Sequence, residues 1–464
     1  MDRFIGYHSE WNLGSPGGWD YQRITQIIGK KIWERHFSGA LDRKLDFDHP
    51  FLHPVTNFVG MLVECHRLRE GLNPGFIAVV AEEETLEDVT ENRNLVTHLS
   101  AVEGITSALM APHELELRKG RVSWQGTPVS LIFMDFNTDV LLALHRKLKL
   151  VPLLQAVWEG RVINPRGTEP INSKSMFEVI TDPRNKNRFH EETVLRTPWT
   201  RQFYPRKTEG PKDESISDLI EWTRANWDNL VLKPERGYSG KGVSVGGINH
   251  DVDTIIEGAL KGGDYGGYIV QEKIPLNLWT EIIPELDYEN NLVMEVECQT
   301  DFRCLFGKMG LFGFLCRYGG VPTNVGSGGG VQPLAVIDSE IGIGEATGRM
   351  NDHIVKKGYD EVVEALGYQE EMALDHEFTY LLGPIKIALR PRLITVAQMK
   401  ALESYCSAVW EDCLILEKMW LADELDVILN MDSEELILVK AQPWKGAPAI
   451  FASDGLFSFG AHVQ

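Results

Sequence analysis

Leu230-Val231-Leu232-Lys233-Pro234-Glu235-Arg236-Gly237-Tyr238-Ser239-Gly240-Lys241-Gly242-Val243 is the stretch that decides how this chain is read. An apolar run ends in a lysine, a glycine-rich loop follows at once, and Val243-Ser244-Val245 resumes strand character. The pattern predicts a β-hairpin with a glycine tip. Gly237, Gly240 and Gly242 can take positive φ, so several backbone N–H groups can turn toward one anion. Lys233, at the strand end, can reach the same phosphates as a point charge. The segment is not a P-loop, because no GxxxxGK[ST] opens a helix. Nor is it a dinucleotide fingerprint, because a strand follows where that motif needs a helix.

The rest of the composition limits what such a loop can serve. The chain has 464 residues, 43% hydrophobic and 24% charged, which is ordinary globular composition and enough for about three structural units. Its net charge of -21 argues against nucleic acid or an anionic membrane as partner, since both call for a basic face. Small phosphate ligands need only a few local cations. The six cysteines form no CxxC pair, so neither a zinc ribbon nor a redox dithiol is indicated, and reduced thiols are expected. The opening MDRFIGYHSEWNLG lacks the basic and apolar regions of a signal peptide, and no run approaches the length of a membrane span. A cytoplasmic protein is expected.

Upstream of the loop, Phe76-Ile77-Ala78-Val79-Val80-Ala81 and Val129-Ser130-Leu131-Ile132-Phe133-Met134 read as buried strands, with helical patterns at 94–102 and 139–158 between and after them. Alternating strands and helices predict a parallel α/β unit, whose ligands collect at strand C-termini, where Asp135 and Asn137 lie. Those two residues serve equally as caps of the next helix. Trp11, Trp19 and Trp33 are expected in the core. Amphipathic helix is predicted over 215–227, helix over 341–366, strand over 372–382 and 385–389, and a long helix over 395–426.

Three further pieces stand in a telling order around the loop. Asn172-Ser173-Lys174 lies upstream. Ile269-Val270-Gln271-Glu272-Lys273-Ile274 follows. Then come Thr300-Asp301-Phe302-Arg303, Arg317, Asn324 and Gly328-Gly329. Together with the loop they resemble the ATP-grasp superfamily over Val162 to Leu393. The resemblance implies an α/β chain in which two α+β lobes clamp ATP. A parallel α/β N-terminal domain (1–160) precedes the ATP-grasp domain (161–395, small lobe about 185–270), and a helical extension (396–464) follows. It implies ATP and Mg2+ as cofactors, and a ligase that joins a small-molecule carboxylate to an amine or thiol through an acyl-phosphate. Lys174 and Lys233 would hold phosphates, under a lid of Ser239, Gly240, Lys241 and Gly242. Gln271, Glu272 and Ile274 would meet the adenine, and Asn324 would complete the nucleotide site. Arg303 and Arg317 would stabilise the transferring group. The superfamily ends its site with a Glu-x-Asn on a strand, which binds the metal. The matching stretch, Lys386-Ile387-Ala388-Leu389-Arg390-Pro391-Arg392, has Ala388 and Arg390 in those places. Asp375, on an expected strand facing the nucleotide, and Glu377 and Asp301 are then the remaining candidates for Mg2+. The same departure raises the alternative of a non-catalytic paralogue that binds nucleotide or acts as a scaffold. The long helical C-terminal stretch offers a surface on which two copies could pair as a homodimer.

Overall fold

The computed structural model describes residues 5–237, 240–262, 266–274, 280–320, 323, 325, 328–338, 342–380 and 383–458. It is a mixed α/β structure whose secondary elements build several separate sheets. Both apolar runs upstream of the loop form strands. Gly75–Val80 lies between Ile105–Met110 and Leu131–Met134, and Val162–Ile163 pairs beyond the latter, all in parallel. Residues Ile77 to Val80 are wholly buried, as expected of a strand covered on both faces. The helical pattern over 139–158 is two helices, Thr138–Leu148 and Val151–Trp158, because Lys149 turns left-handed at φ 57 and ends the first.

The glycine hairpin belongs to a second, antiparallel sheet. Its order is Ser244–Val245, Leu230–Pro234, Tyr268–Glu272, Thr200–Gln202. Alternation along Leu230–Pro234 sends Leu230 and Leu232 into a core with Trp199, Leu219, Ile256 and Val270. Val231 and Lys233 line a cleft on the opposite side. The helix predicted over 215–227 is shorter, Leu219–Ala225: the Asp218 carboxylate accepts the N–H groups of Ile220 and Glu221 and so sets a later start.

The largest sheet joins distant parts of the chain. Its order is Ile5–Asn12, Phe451–Ser458, Leu292–Gly307, Gly310–Gly319, Gly330–Val331, with Thr280–Asp287 pairing on the third. Residues 5–12 and 451–458 are therefore neighbours in one sheet with 292–307. Strand pairing across more than four hundred residues has no local signature. The long helix forms over Val396–Leu421 behind a Thr395–Gln398 capping box, and its core face packs under this sheet. Trp11, Trp19 and Trp33 are core residues, at 3%, 1% and 4% exposure. The predicted strand over 372–382 is a correction. Helix Tyr359–Asp375 runs through its first four residues, burying Val362, Ala365, Gln369, Met372 and Ala373 at helical spacing, and among the described residues of the span only Thr379–Tyr380 is strand.

Candidate functional site

A cavity of ≈ 420 Å³ separates the face of the large sheet from the glycine hairpin. Cations line the hairpin side. Lys233 Nζ donates to Gln271 Oε1 at 2.9 Å and to the Ser9 carbonyl at 3.3 Å. Gln271 is itself fixed, donating through Nε2 to Thr200 Oγ1 at 3.0 Å. Its side chain thus aims the lysine, whereas the sequence reading had given it to adenine. Burial, above all, brings Lys233 down to about 8, with Glu10 opposing and Lys174 assisting the shift. Lys174 Nζ lies 3.2 Å from Glu10 Oε2 and donates to the Gly237 carbonyl at 3.1 Å. Gly240 and Lys241 line the same cavity, as do Glu272 and Ile274. Gly242 shapes the turn instead: at φ +73, a Cβ there would come within 2.9 Å of Pro234 and of the Tyr268 hydroxyl. Ser239 and Asn324 lie outside the described residues.

The sheet side carries carboxylates and guanidiniums paired across neighbouring strands. Glu10 and Asn12 sit two residues apart on one strand face. Asp454 is directly opposite Glu10 on the neighbouring strand, and Asn12 Nδ2 donates to it at 3.1 Å. Arg303 is opposite Asp454 on the next strand and grips both its oxygens, at 2.5 and 2.6 Å, while donating to the Gly17 carbonyl at 2.7 Å. Arg317 follows, paired with Asp301 at 2.8 Å and 3.6 Å from Asp454. Asp301 also accepts from Thr323. Burial would raise the Glu10 carboxyl, but Lys174, Lys233 and Arg303 outweigh it and hold it at about 2, so Glu10 is ionised. Arg317 is kept firmly charged, because Asp301 and Asp454 overcome the opposing cost of its burial.

The three metal candidates do not come together. Asp375 is the exposed last residue of a helix, and Glu377, at φ 51, pairs with Arg93 at 2.6 Å; neither lines the cavity. Asp301 does line it, though occupied by Arg317 and Thr323. Ala388 and Arg390 are structural. Arg390 and Arg392 share the buried Glu281 carboxylate, at 2.7 and 3.3 Å. A Glu-x-Asn tripeptide does line the cleft at Glu10-Trp11-Asn12, where alternation turns Glu10 and Asn12 to the cleft and buries Trp11. That tripeptide was the signal available in the sequence. Nothing local pointed to Asp454, which reaches the site only through strand pairing.

No family model matches the chain, and no curated protein matches it. Among solved structures, a RimK domain ATP-grasp protein from Sphaerobacter thermophilus is similar over 61% of this chain and 99% of its own, at 17% sequence identity and a TM-score of 0.28. A likeness that faint decides neither fold family nor activity, so the functional reading rests on the cleft.

Proposed function

We propose that this chain is an ATP-dependent ligase that joins a carboxylate to an amine through an acyl-phosphate. One observation carries the reading: two lysines that can reach phosphates, Lys174 and Lys233, face a set of hard oxygen groups and two guanidiniums across a single cleft. The order of motifs that resembles the ATP-grasp superfamily supports it.

In this reading Lys174 and Lys233 bind the phosphates as point charges. The glycine turn closes over them and keeps water from the transferring group. Glu10 and Asn12 present a carboxylate and an amide oxygen, donors of the kind Mg2+ requires, and would help to hold the ion. Mg2+ held there would neutralise and orient the triphosphate. A carboxylate oxygen of the substrate attacks the γ-phosphorus as the bond to the ADP oxygen breaks. The neutral amine then attacks the acyl carbon, phosphate leaves, and the amine proton passes to solvent. Arg303 and Arg317 are placed to orient the carboxylate and to stabilise the oxyanion of the second step. The non-catalytic alternative drew on the missing Glu and Asn near residue 388; Glu10 and Asn12 in the cleft are side chains of the same kind and support the ligase reading over it.

The test is release of ADP and phosphate from MgATP with a panel of carboxylates and amines. Turnover by the wild-type chain, abolished in Glu10→Gln while ATP still binds, is the expected result. Tight ATP binding with no turnover across the panel would replace the ligase with a nucleotide-binding scaffold.

A further inference from the structure

The lysine near the end of Leu230–Pro234 is held by a short chain of hydrogen bonds that leads out of the cleft. Lys233 Nζ donates to Gln271 Oε1 at 2.9 Å, and Gln271 Nε2 donates to Thr200 Oγ1 at 3.0 Å. Thr200 Oγ1 in turn donates to the Pro198 carbonyl at 2.9 Å. Strand register brings these groups together. Gln271 is directly opposite Thr200 on one neighbouring strand and Val231 on the other. Alternation puts Lys233, two residues beyond Val231, on the same sheet face and within diagonal reach of Gln271. Lys233 and Gln271 line the cavity, whereas Thr200 is fully buried and forms no part of its wall.

The direction of every bond in the chain follows from its first member. An ammonium donates and never accepts, so the amide oxygen of Gln271 must face Lys233. The amide nitrogen then faces Thr200, whose hydroxyl must accept. A hydroxyl that accepts there needs another home for its own proton, and the Pro198 carbonyl provides it. Reversing the Gln271 amide would set its N–H groups against the ammonium and leave a buried donor and acceptor mismatched. Among the described residues, the other partner of Lys233 Nζ is the Ser9 carbonyl at 3.3 Å. Two of its three N–H groups are thus engaged, and the third is left to a ligand in the cleft. Burial works against the charge on Lys233, so an acceptor that stabilises the ammonium matters more here than at the surface.

We propose that Thr200 is a positioning residue for phosphate binding: its hydroxyl fixes the Gln271 amide with the oxygen toward Lys233, and so keeps the ammonium aimed into the cleft. This rests on the reading of Lys233 as a phosphate-binding lysine. Thr200 touches no ligand itself. Its influence passes through Gln271 and ends at Lys233, so it vanishes when Lys233 is absent. A threonine that merely packs in the sheet would act on stability, with no dependence on Lys233.

Titration calorimetry of the whole chain with MgATP tests the proposal. Thr200→Val keeps the shape of the side chain and removes the hydroxyl, and ATP affinity should fall about fivefold, the worth of one neutral hydrogen bond. Thr200→Ser restores the hydroxyl and should bring the affinity back to within about twofold of wild type. In a Lys233→Ala background, Thr200→Val should change ATP affinity no further. Gln271→Met removes the amide at similar length and should reproduce both results; it serves where Thr200→Val fails to fold, which thermal melting reports. Wild-type affinity in folded Thr200→Val, an equal loss in the Lys233→Ala background, or no rescue by serine would each overturn the proposal. A second readout needs no ATP: acetylation of Lys233 by acetic anhydride, measured against Lys174 by mass spectrometry. An amine reacts when neutral and free, so labelling of Lys233 should rise in Thr200→Val and Gln271→Met and fall back in Thr200→Ser. Labelling unchanged in both folded variants would also overturn the positioning role. If ATP binds and neither readout responds to Thr200, that role alone falls. If ATP does not bind and the labelling pattern holds, Thr200 still positions Lys233 and the ligase reading falls.

Discussion

The two walls of the cleft are built in opposite ways. The cationic wall is nearly contiguous: Lys233, its glycine turn and the returning strand span residues 230–245, with Lys174 and Lys273 joining from elsewhere in the chain. The acidic wall is gathered from residues 10–12, 301–317 and 454, on four strands of one sheet. A hairpin needs only neighbours in sequence, so its chemistry can be read from a single segment. A sheet face collects whatever register brings together, so its chemistry belongs to the pairing. The acidic wall should therefore be the more sensitive to changes that disturb pairing, and the cationic wall to changes in charge alone.

The largest expected effect is on the acidic wall. Asp454→Ala removes the carboxylate that both oxygens of the Arg303 grip depend on, and leaves a mostly buried guanidinium without its counter-charge. Breaking such a pair from one side costs about 3–5 kcal/mol, readable as a lower urea midpoint at unchanged slope. A loss under about 1 kcal/mol, the range of exposed pairs, would mean that the pair behaves like a surface contact. Next comes Lys233→Ala, which should weaken ATP binding by about 1–3 kcal/mol with little change in melting temperature, as expected for one charge-assisted hydrogen bond. Unchanged ATP affinity by calorimetry would take Lys233 out of the phosphate site.

The third expectation is a pH dependence. Lys233 loses its proton near pH 8, because its burial disfavours the charge. A bound polyphosphate favours the charged form and raises that value again. Binding must then take up a proton above pH 8, and ATP affinity should fall with rising pH there, by at most about tenfold per unit. Calorimetry at pH 9 in buffers of different ionisation enthalpy reads the uptake directly, and Lys233→Ala should abolish it. Affinity independent of pH between 7 and 9.5 would show the lysine to be remote from the phosphates. The smallest effect belongs to Asp375→Asn, at the exposed helix end: stability should stay within about 0.5 kcal/mol and Mg2+-dependent ADP release should be unchanged. Loss of turnover in this variant would return the metal to the register that the sequence alone suggested.

Legibility followed the range of the interactions. The strands at 76–80 and 131–134 announced themselves as short apolar runs, because a strand buried on both faces needs nothing else. The segment around Asp375 misled, because its apolar residues suit a strand as well as the last turns of a helix, and only the packing of Met372 and Ala373 chose the helix. Gln271 lines the cleft, but the partner of its amide, Thr200, lies on a strand seventy-one residues away and could not be read locally. The Glu10-Trp11-Asn12 tripeptide was visible all along but lay far from the stretch where the pattern was sought.

By itself the sequence determined the lysine-ended strand, its glycine turn and the parallel α/β unit. Each follows from propensity, alternation and backbone freedom over a dozen residues or fewer. Tertiary structure alone decided that residues 5–12 and 451–458 lie side by side, and hence that Glu10, Asn12 and Asp454 face Lys174 and Lys233. The physical reason is that a β-ladder joins backbone groups common to every residue. Which strand lies beside which is chosen by the packing of the whole sheet against its helices, and no local stretch of sequence carries that choice.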